Sequence, residues 1–201
     1  IAVVLALVGL VLSVIGIVAA RRRARPRGRA LTGVIVSLAV LSFPVIVVVN
    51  GGGSPAIHDI TTDTEDPPQF VDVLPIRERT GAVNRTEYGG ASVAALQKQG
   101  FPDLQTLRIP VAPPVAYARA LAAAQAMTWE MVAADQATGR IEATDTTALF
   151  GFKDDVVIRI RPDGDGSRID VRSLSRVGGG DLGTNAKRIR AYLQRLASTA
   201  G

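Results

Sequence analysis

The chain has 201 residues, no cysteine, one histidine and a formal charge of +5. Disulfides, thiolate metal sites and a cysteine nucleophile are therefore excluded, and a single imidazole, His58, argues against a histidine-based metal site or a Ser-His-Asp triad. The charge is local: residues 1–50 hold six arginines and no acid, whereas residues 51–201 set 17 Lys and Arg against all 18 Asp and Glu. A nucleic-acid binder needs a basic face on its folded part, so that class is set aside.

The first apolar stretch, IAVVLALVGLVLSVIGIVAA (1–20), has Ser13 as its one polar residue, and a second, ALTGVIVSLAVLSFPVIVVV, covers residues 30–49. Each is long enough to span a bilayer as a helix, and Pro44 is expected to kink the second. The connecting RRRARPRGR (21–29) is purely positive. By the positive-inside rule this loop is cytoplasmic, which makes a multi-pass hairpin in the inner membrane with a periplasmic C-terminal domain. The second apolar run is longer than the ~7–15 residues of a signal-peptide core, which favours an anchor over a cleaved signal. The lipid bilayer is thus the first expected partner, through residues 1–20 and 30–49.

NGGGSPA (50–56) is a flexible break. The expected organisation is a hairpin over 1–50, a linker over 51–56 and an extracytoplasmic domain over 57–201. In IHDITTDTEDPPQF, the acids Asp59, Asp63, Glu65 and Asp66 raise the question of calcium. The spacing lacks the glycine and the closing glutamate of a calcium loop, and Pro67 and Pro68 hold the chain extended, so no metal is expected. The segment reads as a solvated, extended arm docking through Ile57, Ile60 and Phe70, with His58 a surface or interface residue rather than a ligand. Residues 71–113 read as irregular except for a helix over GASVAALQKQGF, with Ala91, Ala94, Ala95 and Leu96 on its apolar side.

Pro113 and Pro114 suit the first turn of a helix running through VAYARALAAAQAM, with Val115, Ala118, Leu121, Ala122 and Gln125 at helical spacing. Four strands follow, in WEMVAAD, RIEATDTTALF (140–150), DVVIRIR and RIDVRSLSR, the last two joined by the turn PDGDGS. Val156, Ile158, Ile160, Ile169 and Val171 share one face; Arg159, Arg161, Arg168, Asp170 and Arg172 share the other. This predicts an α+β domain: a four-stranded antiparallel meander, one face apolar and one wet, with flanking helices on the apolar face, a helix-grip-like arrangement. The closing helix carries Leu182, Ala186, Ile189, Leu193 and Leu196 as one stripe.

SRVGGGDLGTNAKRIR contains G-x-G-x-x-G at Gly178, Gly180 and Gly183. A dinucleotide fingerprint requires a parallel strand before it, and a second strand with an acid after it. The preceding strand here belongs to an antiparallel hairpin, so the glycines read as a sharp turn with Asp181 capping the helix. A weaker reading leaves an anion at this helix start, helped by Arg176 and Arg188.

HDITTDTEDPPQF together with TGRIEAT, FGFKDDVVIRIR and GSRIDVRSLSRVGGGDLGTNAKRIRAYL resembles the domain-of-unknown-function family DUF1499, over residues 57–196. The resemblance implies a bacterial envelope or plastid lumen setting, often behind membrane segments, and no activity. It marks Asp59, Asp63, Pro67, Pro68, Asp154, Asp155, Arg172, Ser173, Arg176, Gly178, Asp181, Gly183, Asn185 and Arg188 as motif positions. GGGD (178–181) departs from the GRSD-like turn expected of the family.

Three functions follow as expectations. The first is a membrane-anchored binding or accessory module of the cell envelope, taking an envelope protein or a small anionic ligand, with no cofactor and no catalytic set. Its candidate residues are Asp59, Asp63, Asp154, Asp155, Arg159, Arg172, Arg176, Asp181, Asn185 and Arg188. The second is a hydrolase using Asp154 and Asp155, although neighbours on a strand point to opposite faces. The third is a structural spacer, with Gly16 and Gly33 permitting close helix contacts.

Overall fold

The computed structural model describes residues 2–23, 26–51, 53–148 and 150–198. Ile1, Ala24 and Arg25 of the basic loop, Gly52 of the linker, Leu149 of the expected second meander strand and residues 199–201 lie outside the described residues. The chain divides into two compact units, residues 1–52 and 53–201.

The first unit is two helices, α1 (Ala2–Arg22) and α2 (Gly28–Gly51), with Pro44 inside the second. Both are long and apolar enough to cross a membrane. They pack antiparallel through small residues: a Cβ placed on Gly33 would meet Ser13 Oγ, and one on Gly16 would lie 3.4 Å from Ala30 Cβ. The glycines anticipated as helix contacts thus serve the contact between α1 and α2. Away from it, Val4, Leu5, Leu12 and Val49 stand exposed.

The second unit is built on a six-stranded antiparallel sheet. Its elements are β1 (Asp59–Thr61), α3 (Leu74–Arg79), α4 (Gly90–Gly100), β2 (Leu107–Ile109), α5 (Pro113–Gln125), β3 (Glu130–Asp135), β4 (Arg140–Thr146), β5 (Lys153–Asp163), β6 (Gly166–Ser175) and α6 (Thr184–Ser198). Strands β3 to β6 form the expected meander. The sheet is larger than the four strands expected, because β1 and β2 both pair with β6. Asp59 to Thr61 align with Leu174 to Arg172, and Leu107 to Ile109 with Ile169 to Ser167. Two short strands lie end to end along one long one.

On one face, α5 and α6 cover Ile141, Ala143, Val156, Ile158, Ile160, Ile169 and Val171, forming the main core with Trp129 and Tyr192. Those two rings stack at 5.6 Å, and Tyr192 Oη donates to Ala120 O at 3.1 Å. Helix α5 buries Ala116, Tyr117, Ala120, Ala123 and Ala124, and Val115 is exposed. This is not the face expected; an alanine-rich helix has little contrast between its sides, and Tyr117 decides the matter. Helix α4 likewise buries Ala94 and Gln97 and exposes Leu96.

The opposite face is not wet. Residues 62–86, including α3, lie across it, and Phe70, Val73, Val157 and Leu174 form a second small core there. Helices therefore flank both faces. The expected solvated arm is buried at Ile57, Asp59, Ile60, Thr61 and Thr62, with Ile57 and Ile60 in the main core.

Candidate binding cleft beside His58

Apart from Asp181, the charged candidates Asp59, Asp63, Asp154, Asp155, Arg159, Arg172, Arg176 and Arg188 are gathered into ion pairs, most of them buried. Arg172 donates through Nε and Nη2 to Asp59 at 2.9 and 2.7 Å, and to the carbonyls of Pro68 and Thr86. Its guanidinium also lies over the rings of Phe70 and Tyr88. Tyr88 is pushed up to about 12 by burial and by the Asp59 carboxylate. Arg159 reaches Asp63, Asp66 and Asp170, each within 3.1 Å.

Adjacent Asp154 and Asp155 point to opposite faces, as alternation on a strand requires. Asp155 accepts from Arg77, Arg176 and Thr144 beneath the 62–86 segment. Asp154 accepts from Arg188 at 2.6 Å on the α6 side. Arg188 also holds Asp145, the residue paired with Asp154 across β4 and β5. The two carboxylates share no proton site. Asp155, fully buried, is held by two guanidinium groups, and Asp154 by the one it shares with Asp145.

Asn185 joins three elements: its Nδ2 donates to His58 O and Ser175 Oγ, and its Oδ1 accepts from Ser173 and Arg188. Asp181 accepts from the backbone N–H groups of Gly183 at 2.8 Å and Asn185 at 2.7 Å, at the start of α6. The helix start thus has its own carboxylate. Burial raises the Asp181 pKa, and those two N–H groups oppose the shift. Leu182 and Gly183 take positive φ in this turn, and a side chain on Gly180 would come within 3.3 Å of Ala56 Cα.

Sequence reading did not reach Arg77, Asp145, Tyr88 or Gln97. Gln97 is almost wholly buried, accepting from Thr61 N at 2.9 Å and donating to Thr61 O at 2.6 Å, so α4 clamps β1 by its backbone. Arg77 sits in a stretch without periodicity, where nothing local distinguishes it from the exposed Arg79.

A cleft of about 370 Å³ lies between residues 56–59, the 83–89 loop and Gly179, near the small end of ligand-pocket sizes. His58, Asn84, Arg85 and Glu87 line it with the apolar Ile57, Val83 and Val93. Neither ring nitrogen of His58 has a hydrogen-bond partner among the described residues, and Nδ1 is closed off from solvent. Arg85 and Glu87 are exposed, 3.8 Å apart. Among the described residues no cluster of three or more His, Cys, Asp or Glu is placed to hold a metal.

A family model described as "Protein of unknown function (DUF1499)" matches residues 59–196. The chain belongs to this family. The DUF1499 match begins at Asp59, the first residue of β1, and ends at Leu196, the last buried residue of α6. It therefore spans the whole sheet and the helices packed on it. No curated protein matches the chain. Among solved structures, TTHA0849 from Thermus thermophilus aligns at 12% identity, covering 48% of this chain and 97% of that one, with a TM-score of 0.28. A likeness at that level carries no argument for this DUF1499 domain.

Proposed function

We propose that this protein is a membrane-tethered binding module of the cell envelope, and that the cleft beside His58 is its site. Helices α1 and α2 are the anchor. Their exposed Val and Leu side chains suit lipid, and the arginine-rich connection favours a cytoplasmic loop, which leaves residues 53–201 on the far side. The observation that carries the reading is the contrast in polar satisfaction. The ten candidate side chains are held by partners within the chain, whereas the His58 imidazole has none among the described residues and stands in a cavity. Nδ1 is closed off, so the ring nitrogen that a ligand in the cleft would meet is Nε2, in a hydrogen bond worth about 0.5–1.5 kcal/mol.

Native mass spectrometry of the full chain, released gently from membranes, tests this. The expected result is a reproducible small-molecule adduct that His58→Ala loses while the fold is kept. A bare chain, or an adduct indifferent to His58, overturns it. A carboxylate-dependent hydrolase is less well supported, because Asp154 and Asp155 are buried and neutralised separately.

A further inference from the structure

The sheet face that residues 62–86 lie across carries another concavity, lined by other residues than the His58 cleft. Arg140 on β4 and Arg159 on β5 are direct cross-strand partners. Two like charges opposite one another destabilise a sheet unless something negative lies between or beside them. Both residues line a cavity of about 210 Å³, with Arg161, Gln69, Thr138 and Asp66 also in its wall. The Nε groups of Arg140 and Arg159 are buried without a hydrogen-bond partner. Nε of Arg140 lies 3.0 Å from Glu142, an ion-pair distance without hydrogen-bond alignment.

We infer that this cavity is a binding site for a small oxyanion, a phosphate group in particular. Arginine presents planar forks of donors that match phosphate oxygens, and Arg159 and Arg161 both line this cavity, where their Nη1 groups meet one exposed carboxylate, that of Asp66. The surrounding carboxylates are otherwise engaged. Asp63 and Asp170 hold the far end of Arg159 together with Arg168, and Asp72 and Glu142 hold Arg140. Asp66 is the exception. It is well exposed, and its carboxylate bridges Nη1 of Arg159 at 3.1 Å and Nη1 of Arg161 at 2.6 Å. Asp66 occupies the place of a ligand oxyanion and yields it when phosphate binds. Its structural duty lies elsewhere: its backbone N–H donates to Asp63 Oδ1, a bond that does not need the Asp66 side chain.

A direction of change follows that a purely structural salt bridge would not produce. Asp66→Asn removes the internal competitor and tightens phosphate binding about fivefold to tenfold. Gln69→Glu places a new negative charge at the exposed rim and weakens it about tenfold, the scale of one charge-assisted hydrogen bond. The experiment is titration calorimetry on the full chain in dodecylmaltoside, in chloride buffer, with inorganic phosphate and separately with monomeric dihexanoyl phosphatidylglycerol. Binding of phosphate assigns a free phosphate; binding of the glycerolipid alone, with the same response to both variants, assigns a lipid headgroup. Either supports the site. Absence of binding by both probes overturns it, as does an affinity unchanged by Asp66→Asn and Gln69→Glu in chains whose thermal unfolding remains cooperative. Should one variant fail to fold, the other decides alone.

Discussion

Arg172 and Asp59 form a two-pronged ion pair that fastens β1 to β6 across 113 residues of sequence, with the Arg172 side chain wholly closed to water. Such a pair is worth less than it costs to break, because removing one partner leaves the other charged and buried. Asp59→Ala is expected to lose about 3–5 kcal/mol in urea denaturation. The double variant Asp59→Leu, Arg172→Met is expected to lose less than Asp59→Ala alone. A double variant worse than the single would show that the pair contributes more than its own neutralisation.

Gln97 bears on the same strand from the other side. Gln97→Leu keeps the bulk of the side chain but orphans the Thr61 N–H and C=O, at about 1–3 kcal/mol for each group. Hydrogen exchange should quicken at the Thr61 amide ahead of the amides of β4 and β5.

Asp181 sets a pH dependence. Its pKa in the folded chain lies above the ordinary 3.8, because of burial. The folded state therefore holds its proton to higher pH than the unfolded state does. This contribution is full below 3.8 and is lost as pH rises through the folded pKa. Asn resembles the protonated acid and does not titrate. The melting temperature of the wild type, relative to Asp181→Asn, should be highest at the acid end and fall with rising pH. A wild-type advantage that grows with pH would reverse the sign and refute the assignment.

The absence of cysteine makes topology directly testable. Gly28→Cys has open space around it and Lys187→Cys stands exposed. In intact spheroplasts, an impermeant maleimide is expected to label position 187 and spare position 28 until the cells are lysed. The opposite pattern would invert the hairpin.

Much of this architecture was readable because β5 and β6 alternate over 158–161 and 168–172 and a two-residue turn joins them. The period-two pattern also put Val156, Ile158 and Ile160 on the correct face. It failed on the other face for a physical reason. Arginine and aspartate alternating with valine read as a solvated surface, and only the 62–86 segment, folding back from far upstream, turns them into a buried network. Strand β1 was equally opaque: the residues that hold it, Arg172 and Gln97, are distant in sequence, and one is a polar residue on a helix side that composition assigns to water. Of the cleft, His58 was visible as the single imidazole, but the loop that walls it, residues 83–89, has no regular pattern to place it.

The end-to-end seating of β1 and β2 along β6 has a consequence for the order of assembly. Both upstream strands have β6 as their sole sheet partner among the described residues, and β6 is the last strand of the sheet to leave the ribosome. Until residues 167–174 emerge, the segment that follows α2 has no edge to join. Closing so long a loop carries an entropic cost, so the pairing of β1 and β2, in the part of the domain made first, waits on a strand made near its end.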